Sequence, residues 1–287
     1  MQNKVAVITG ASRGIGFEIS KQFLIDGFNI SICSRNKSNL IKAEKKLQKF
    51  NKKKKNIFIN KIDISYEAQV KKLIDQTFKK FKRIDVIVNN AGVYGPMGPI
   101  EKINLYKWKK ALNVNLLGAL YLLTYGIPIL KKKKYSKFIQ LSGGGATNPT
   151  PFINSYGASK AAVVRLMETI SFEVKKYKID INSVAPGPIN TQMLDEVLQS
   201  GPKIVGKEVF QKALKQKKNG GVTFRPCIEL ISFLASYKSN GITGKLISAL
   251  WDNWKKWPKN LNKISDKDVY TLRRIVGKNV GFSLGDK

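Results

Sequence analysis

The stretch Val5-Ala6-Val7-Ile8-Thr9-Gly10-Ala11-Ser12-Arg13-Gly14-Ile15-Gly16 decides the fold. An apolar run of strand length enters a glycine-rich turn, and the turn opens a helical pattern over Gly14–Leu24. Gly10 permits the tight turn, Gly14 lets the backbone approach a pyrophosphate, and Gly16 lets the helix pack closely on the strand. The free N–H groups and positive dipole end of that helix then face an anion. Strand, glycine turn and helix in that order read as a nucleotide-binding loop.

Working outward, strand-length apolar runs recur at Asn29–Cys33, Ile57–Ile62, Ile84–Val88, Lys137–Leu141, Asp180–Val184 and Lys245–Ser248. Helical patterns separate them at Lys37–Phe50, Glu67–Phe81, Asn113–Leu130, Ser155–Tyr177 and Cys227–Ala235. This alternation predicts an α/β fold, a doubly wound parallel sheet of seven strands flanked by helices. Residues 1–249 read as one catalytic domain. Residues 250–287 read as a Trp-containing extension packed on it, with Trp251, Trp254 and Trp257 either lining a pocket or covering the core. Asp268–Ile275 reads as a short helix whose Arg273 and Arg274 clamp an anion or form surface salt bridges.

Composition removes several chemistries. The 287 residues include no histidine, so a Ser-His-Asp triad, a histidine base and a His-ligated metal are excluded. The two cysteines, Cys33 and Cys227, supply neither a four-cysteine site nor a disulfide scaffold. No metal site is expected. The formal charge is +33, but 45 of the 52 cations are Lys and they are spread along the chain. That distribution reads as a solvated surface, with no nucleic-acid partner. The runs Lys52–Lys55 and Lys131–Lys134 precede strands, which places them at the sheet edge away from ligands. The N-terminus does not read as a signal peptide. Ala111–Leu130 is uncharged and of bilayer length, yet its Asn113, Asn115, Gly118 and Pro128 favour a buried helix. A cytoplasmic protein without membrane partners is expected.

The second strand ends in Cys33-Ser34-Arg35-Asn36, where an acid would hold a ribose 2′-hydroxyl. Without that acid, Arg13 and Arg35 can pair with a 2′-phosphate, which favours NADP(H) over NAD(H). Tyr156 and Lys160 lie four residues apart, on one face of a helix. A neighbouring ammonium lowers a phenol's pKa, so the pair supplies acid–base chemistry without histidine. Ser142 ends one strand, where its hydroxyl can hold a substrate oxygen. Asn89-Asn90-Ala91-Gly92 ends another on the same edge, and the Asn115 amide can hold a water that relays protons to Lys160.

Together these residues resemble the classical short-chain dehydrogenase/reductase (SDR) family from about Lys4 to about Ala249. The motifs carrying the likeness are Thr9 to Gly16, Asp63, Asn89 to Gly92, Asn115, Ser142, Tyr156 with Lys160, and Pro186-Gly187 leading to Thr191. The resemblance implies a Rossmann-type fold, a nicotinamide cofactor and a small-molecule carbonyl or alcohol substrate. It implies Tyr156 as proton donor and acceptor, Lys160 as the group lowering its pKa and holding the nicotinamide ribose, and Ser142 and Asn115 as carbonyl holder and relay anchor. Asp63 and Ile64 would hold the adenine and Asn89 the adenosine ribose region, with Ala91 and Gly92 beside them. Ile189 and Thr191 would meet the carboxamide. Pairing through the helices bearing Asn115 and Tyr156 would give a homodimer or homotetramer.

Two features depart from the family pattern. Ser142 and Tyr156 are separated by one residue more than usual, and Gly143-Gly144-Gly145 leave room for a bulky substrate. Thr191 to about Arg225 reads as a substrate lid carrying Lys203, Lys207, Lys212, Lys215, Lys217 and Lys218. Those lysines suggest an acidic substrate, and the Trp-rich tail a sugar-linked one. A non-catalytic NAD(P)-binding regulator on the same fold is the alternative.

Overall fold

A computed structural model describes residues 4–282; the first three and last five residues, the ends of the two expected segments, lie outside it. Seven strands form one parallel sheet in the order β3-β2-β1-β4-β5-β6-β7. They are β1 Val5–Thr9, β2 Asn29–Ser34, β3 Ile57–Lys61, β4 Val86–Asn89, β5 Ser136–Leu141, β6 Ile179–Ala185 and β7 Lys245–Ser248. The helices between them are α1 Gly14–Asp26, α2 Lys37–Gln48, α3 Glu67–Phe81, α4 Leu105–Leu112, α5 Gly118–Leu130 and α6 Asn154–Val174. They are followed by α7 Gln192–Ser200, α8 Pro202–Val205, α9 Lys207–Lys218 and α10 Arg225–Leu234. A π turn, Asn113–Leu117, joins α4 to α5.

Strand period two sorts the core into two layers. On one face Ala6, Ile8, Ile30 and Ile32 pack against α1, α2 and α10, with Phe23 stacked on Phe28 at 4.9 Å. On the other, Val7, Ile87, Phe138 and Ile181 pack against α3, α5 and α6. Each fully buried Ile, Leu or Phe stabilises the fold by roughly 1.5–3 kcal/mol. Both faces are covered, so the strands read in the sequence as continuous apolar runs. The sheet also buries a Lys137–Asp180 pair at 2.6 Å, with Asn240 accepting a second bond from Lys137 at 2.8 Å.

The Leu105–Leu130 helix is long and apolar enough to cross a membrane by composition. Here it is a layer of the fold: Gly118 lies against Ile64 and Gly126 against Ile87, so close that a Cβ would not fit at either. The two tetralysine runs precede β3 and β5, at the end of the sheet opposite the strand C-termini.

The tail differs from its expected form. Asp268–Ile275 is a turn followed by chain without regular structure. Tyr270 sits at a positive φ of 59° and its carbonyl accepts from Leu246 N at 2.8 Å, while Lys245 Nζ takes the carbonyls of Lys267 and Val269. The acceptors a helix needs are thus spent on β7. Trp254 and Trp257 are buried against Phe233 and Tyr270, whereas Trp251 is 76% exposed.

Candidate active site

One cavity of about 1100 Å³ runs along the C-terminal ends of the strands. It begins at Arg35 and Asp63 after β2 and β3, passes Gly10, Ala91 and Ser142 after β1, β4 and β5, and ends at Asp252 beyond β7. Strand order therefore sets the order of groups along the cleft.

At the first end, Gly10 and Gly14 take positive φ values of 63° and 57°. Open space lies where a Gly14 side chain would stand. Gly16 does not line the cleft; a Cβ there would meet Gly10 O and Asn90 Nδ2, each at 2.5 Å, so it is a packing glycine. No side chain caps the N-terminus of α1, which leaves its N–H groups for a ligand beside Ser12, Arg13 and Ile15. The turn, the uncapped helix end and the flanking cations fit a dinucleotide pyrophosphate. Arg35, Ile64 and Gly92 also line the cavity. Glu196 of α7, which the sequence reading missed, faces Arg13 and Arg35; their charges oppose the upward push that burial gives its pKa.

Two asparagines trade places relative to expectation. Asn89 is fully buried, accepting from Thr9 Oγ1 at 2.8 Å and donating to Gln140 Oε1 at 2.9 Å, so it ties β1, β4 and β5 together and does not face the ribose site. Asn90 lines the cleft instead and donates to the carbonyls of Thr9 and Gly10, bracing the glycine turn.

Midway lies the predicted catalytic group. The Ser142 hydroxyl is buried in the cavity wall and has no hydrogen-bond partner among the described residues. An orphaned buried hydroxyl in a ligand cleft fits an incoming oxygen. Tyr156 lines the same cavity, edge-on to Tyr94 at 4.8 Å. Lys160 Nζ donates to Leu141 O at 2.8 Å and stands 5.6 Å from the Tyr156 ring centre. Burial pushes Lys160 down to about 8. It pushes Tyr156 up, with Tyr94 adding in the same direction. The expected lowering of Tyr156 by Lys160 is absent from this arrangement, because the ammonium is turned to a carbonyl and desolvation dominates.

Asn115 stands behind the catalytic wall, where a Cβ on Gly92 would lie 3.4 Å from both Asn115 Oδ1 and Lys160 Nζ. Its amide lies outside the cleft lining and is taken up by the protein. Nδ2 donates to Val93 O at 2.8 Å and Ser159 Oγ at 2.9 Å, while Oδ1 accepts from Val93 N at 2.9 Å. Ser159 in turn donates to Tyr156 O at 2.9 Å. The amide therefore braces the first turn of α6. The π turn carries this residue, a device common at functional sites.

Between Ser142 and Tyr156 the chain makes a 3₁₀ turn at Gly144–Ala146. The glycines make close contacts more than space. A Cβ on Gly143 would stand 2.1 Å from Tyr156 Oη, and one on Gly145 would stand 3.2 Å from Gly157 Cα.

At the far end, Pro186, Gly187, Ile189 and Thr191 line the cleft, and α7 to α9 cap it around Leu194, Val197 and Val205. None of the six cap lysines belongs to the lining; Lys212 pairs with Glu208 and Lys217 with Asp195 on the outer face. The argument for an acidic substrate loses its support. Trp251, Asp252, Tyr270 and Thr271 of the tail line this end, so the tryptophans divide between cavity and core.

A sequence model of the family described as short chain dehydrogenase matches residues 4–201. The chain belongs to the short-chain dehydrogenase/reductase family. Within it, the chain is 30% identical over 251 residues to dehydrogenase/reductase SDR family member 4 of Caenorhabditis elegans, covering 86% of this chain and 93% of that one. Its fold matches NAD⁺-bound xylitol dehydrogenase at a TM-score of 0.75, with 23% identity over 86% and 98% of the two chains. It also matches an actinorhodin polyketide ketoreductase crystallised with NADPH, at 0.77 and 21% identity over 86% and 95%. This SDR is an NAD(P)-dependent oxidoreductase acting on CH–OH and C=O groups.

Proposed function

We propose that this SDR prefers NADP(H) and interconverts a ketone or aldehyde and an alcohol, with Tyr156 as the acid and base. The carrying observation is the unpartnered Ser142 hydroxyl in the same wall as Tyr156 and Lys160. When bound, the nicotinamide dinucleotide supplies or takes up the hydride. Gly10, Ser12, Gly14 and Ile15 would hold its pyrophosphate, Arg13 and Arg35 a 2′-phosphate, Asp63 and Ile64 the adenine, and Ile189 and Thr191 the carboxamide.

Ser142 donates a hydrogen bond to the carbonyl oxygen and fixes it beside Tyr156. Tyr156 gives its phenolic proton to that oxygen as negative charge grows on it. The raised pKa of Tyr156 suits this direction, because the donor stays protonated at working pH. Lys160 lies in the same wall to hold the ribose and to return a proton. Asn115, through Ser159, fixes the turn that aims Tyr156. The exposed Leu120 and Phe172 on α5 and α6 support a homodimer or homotetramer paired through these helices. Residues 250–282 belong to the same catalytic unit.

Tyr156→Phe tests the assignment. NADPH affinity measured by fluorescence should stay near wild type, while NADPH oxidation with a panel of ketones and aldehydes is lost. Near-wild-type turnover would remove Tyr156 from its role.

A further inference from the structure

Beyond Tyr156 the cleft changes character. Its cationic lining residues, Arg13, Arg35 and Lys160, lie at or before the catalytic group. Past β6 the formal charges in the wall are two carboxylates, Glu196 of α7, which faces Arg13 and Arg35, and Asp252. Asp252 Oδ2 accepts from Ser248 N at 2.7 Å, and Oδ1 has no partner among the described residues. Trp251 stands beside it, an exposed indole at the cavity mouth that core packing does not explain. Thr271 adds a neutral polar group to this end, and Asn148 and Thr150 line the same cavity.

This wall is held in place. Tyr270 keeps a backbone conformation rare for a non-glycine residue, which persists only where surroundings over-determine it. Leu246 N bonds its carbonyl, Trp257 stacks on its ring at 4.4 Å, and Glu168 of α6 accepts from Leu272 N at 2.7 Å. Residues on both sides of Thr271 are thereby fixed to β7 and to the helix that carries Tyr156.

We infer that the tail forms a subsite for a neutral, hydroxyl-rich substrate, with Asp252 Oδ1 accepting from its hydroxyls and the Trp251 indole meeting its C–H face. A carboxylate there repels anions, and the +33 charge of the chain opposes an ammonium group. Hydroxyls satisfy a half-buried acceptor without adding charge, and an aromatic face complements the apolar side of a polyol. The inference rests on the proposed function for where the reacting carbon lies.

Two measurements on the full chain test it. The first is the ratio of kcat/KM for xylitol and sorbitol to that for chain-length-matched aliphatic secondary alcohols, with NADP⁺. Asp252→Asn keeps an acceptor for Ser248 N and should cut this ratio about 10- to 100-fold, largely through KM. Trp251→Ala, on an exposed side chain, should lower it in the same sense. The second is calorimetric titration of xylitol onto the NADPH-loaded protein, which should weaken in Asp252→Asn by a similar factor. Turnover with an unchanged ratio in both variants overturns the subsite and leaves the proposed function standing. Absent turnover with Asp252-dependent xylitol binding supports the subsite and counts against the proposed function. A preference for amino alcohols that Asp252→Asn abolishes overturns the neutral-substrate assignment.

Discussion

Gly143→Ala probes the placement of Tyr156 most directly. A Cβ at position 143 would stand 2.1 Å from Tyr156 Oη and 3.2 Å from Cζ. An ordinary carbon–oxygen approach is about 3.3 Å, so the phenol must withdraw by about 1 Å. A shift of about that size near reacting atoms costs on the order of 100-fold in rate. Gly143 has a φ of 178°, extended backbone open to alanine, so the loss would come from contact and not from backbone strain. Its neighbour supplies the control: a Cβ on Gly144 would meet nothing within 4 Å. Steady-state NADPH oxidation with a small ketone, paired with thermal unfolding and NADPH titration, reads out both variants. Gly143→Ala should lose kcat about 100-fold with NADPH affinity and Tm preserved, and Gly144→Ala should stay within about twofold. Turnover within about twofold in Gly143→Ala, or an equal loss in Gly144→Ala, would refute the placement.

Lys160 links pH to stability. Its pKa in the folded, dinucleotide-free protein is about 8, against about 10.4 in the unfolded chain, so the unfolded chain binds more protons between these values. Its penalty is present below pH 8 and fades as pH rises toward 10. Urea unfolding should find Lys160→Met more stable than wild type at pH 7 by up to roughly 3 kcal/mol, with the gap closing by pH 10. Arg35→Ala should weaken NADPH roughly 10- to 100-fold more than NADH in equilibrium titration; equal losses would remove the 2′-phosphate role. Lys137→Met leaves Asp180 buried with the Gly241 N–H as its remaining partner, and should lower the unfolding free energy by about 3–5 kcal/mol. Adding Asp180→Leu should restore most of that loss.

Much of the architecture was legible because a sheet covered on both faces writes its strands as apolar runs, and the loop after β1 announces a bound anion. Tyr156 and Lys160 were legible because helical spacing alone puts them on one face. Asn89 and Asn90 were not separable in the same way. They are adjacent, and only the end of β4 decides that one side chain points into the sheet and the other into the turn. The role of Asn115 depends on Val93 and Ser159, both distant in sequence. The cap lysines misled because composition carries no direction, and the helix expected at Asp268–Ile275 failed because β7 claims its carbonyls. Gly143 stands out in the sequence as part of a glycine run and Asp252 as an acid in the Trp-rich tail, but the partners of both are set by tertiary structure.

The bond from Leu246 N to Tyr270 O has a consequence for solubility. β7 is the last strand of the sheet, and a bare outer strand is a template for another chain. At the opposite rim, β3 follows the tetralysine run and ends at the exposed Lys61, so like-charge repulsion guards it. β7 has no such guard and is shielded by the chain's own tail. A protein cut after Ala249 would bare that rim together with the surface under Trp254 and Trp257. Light scattering should then show growing fibrous or amorphous assemblies where the full chain stays dispersed.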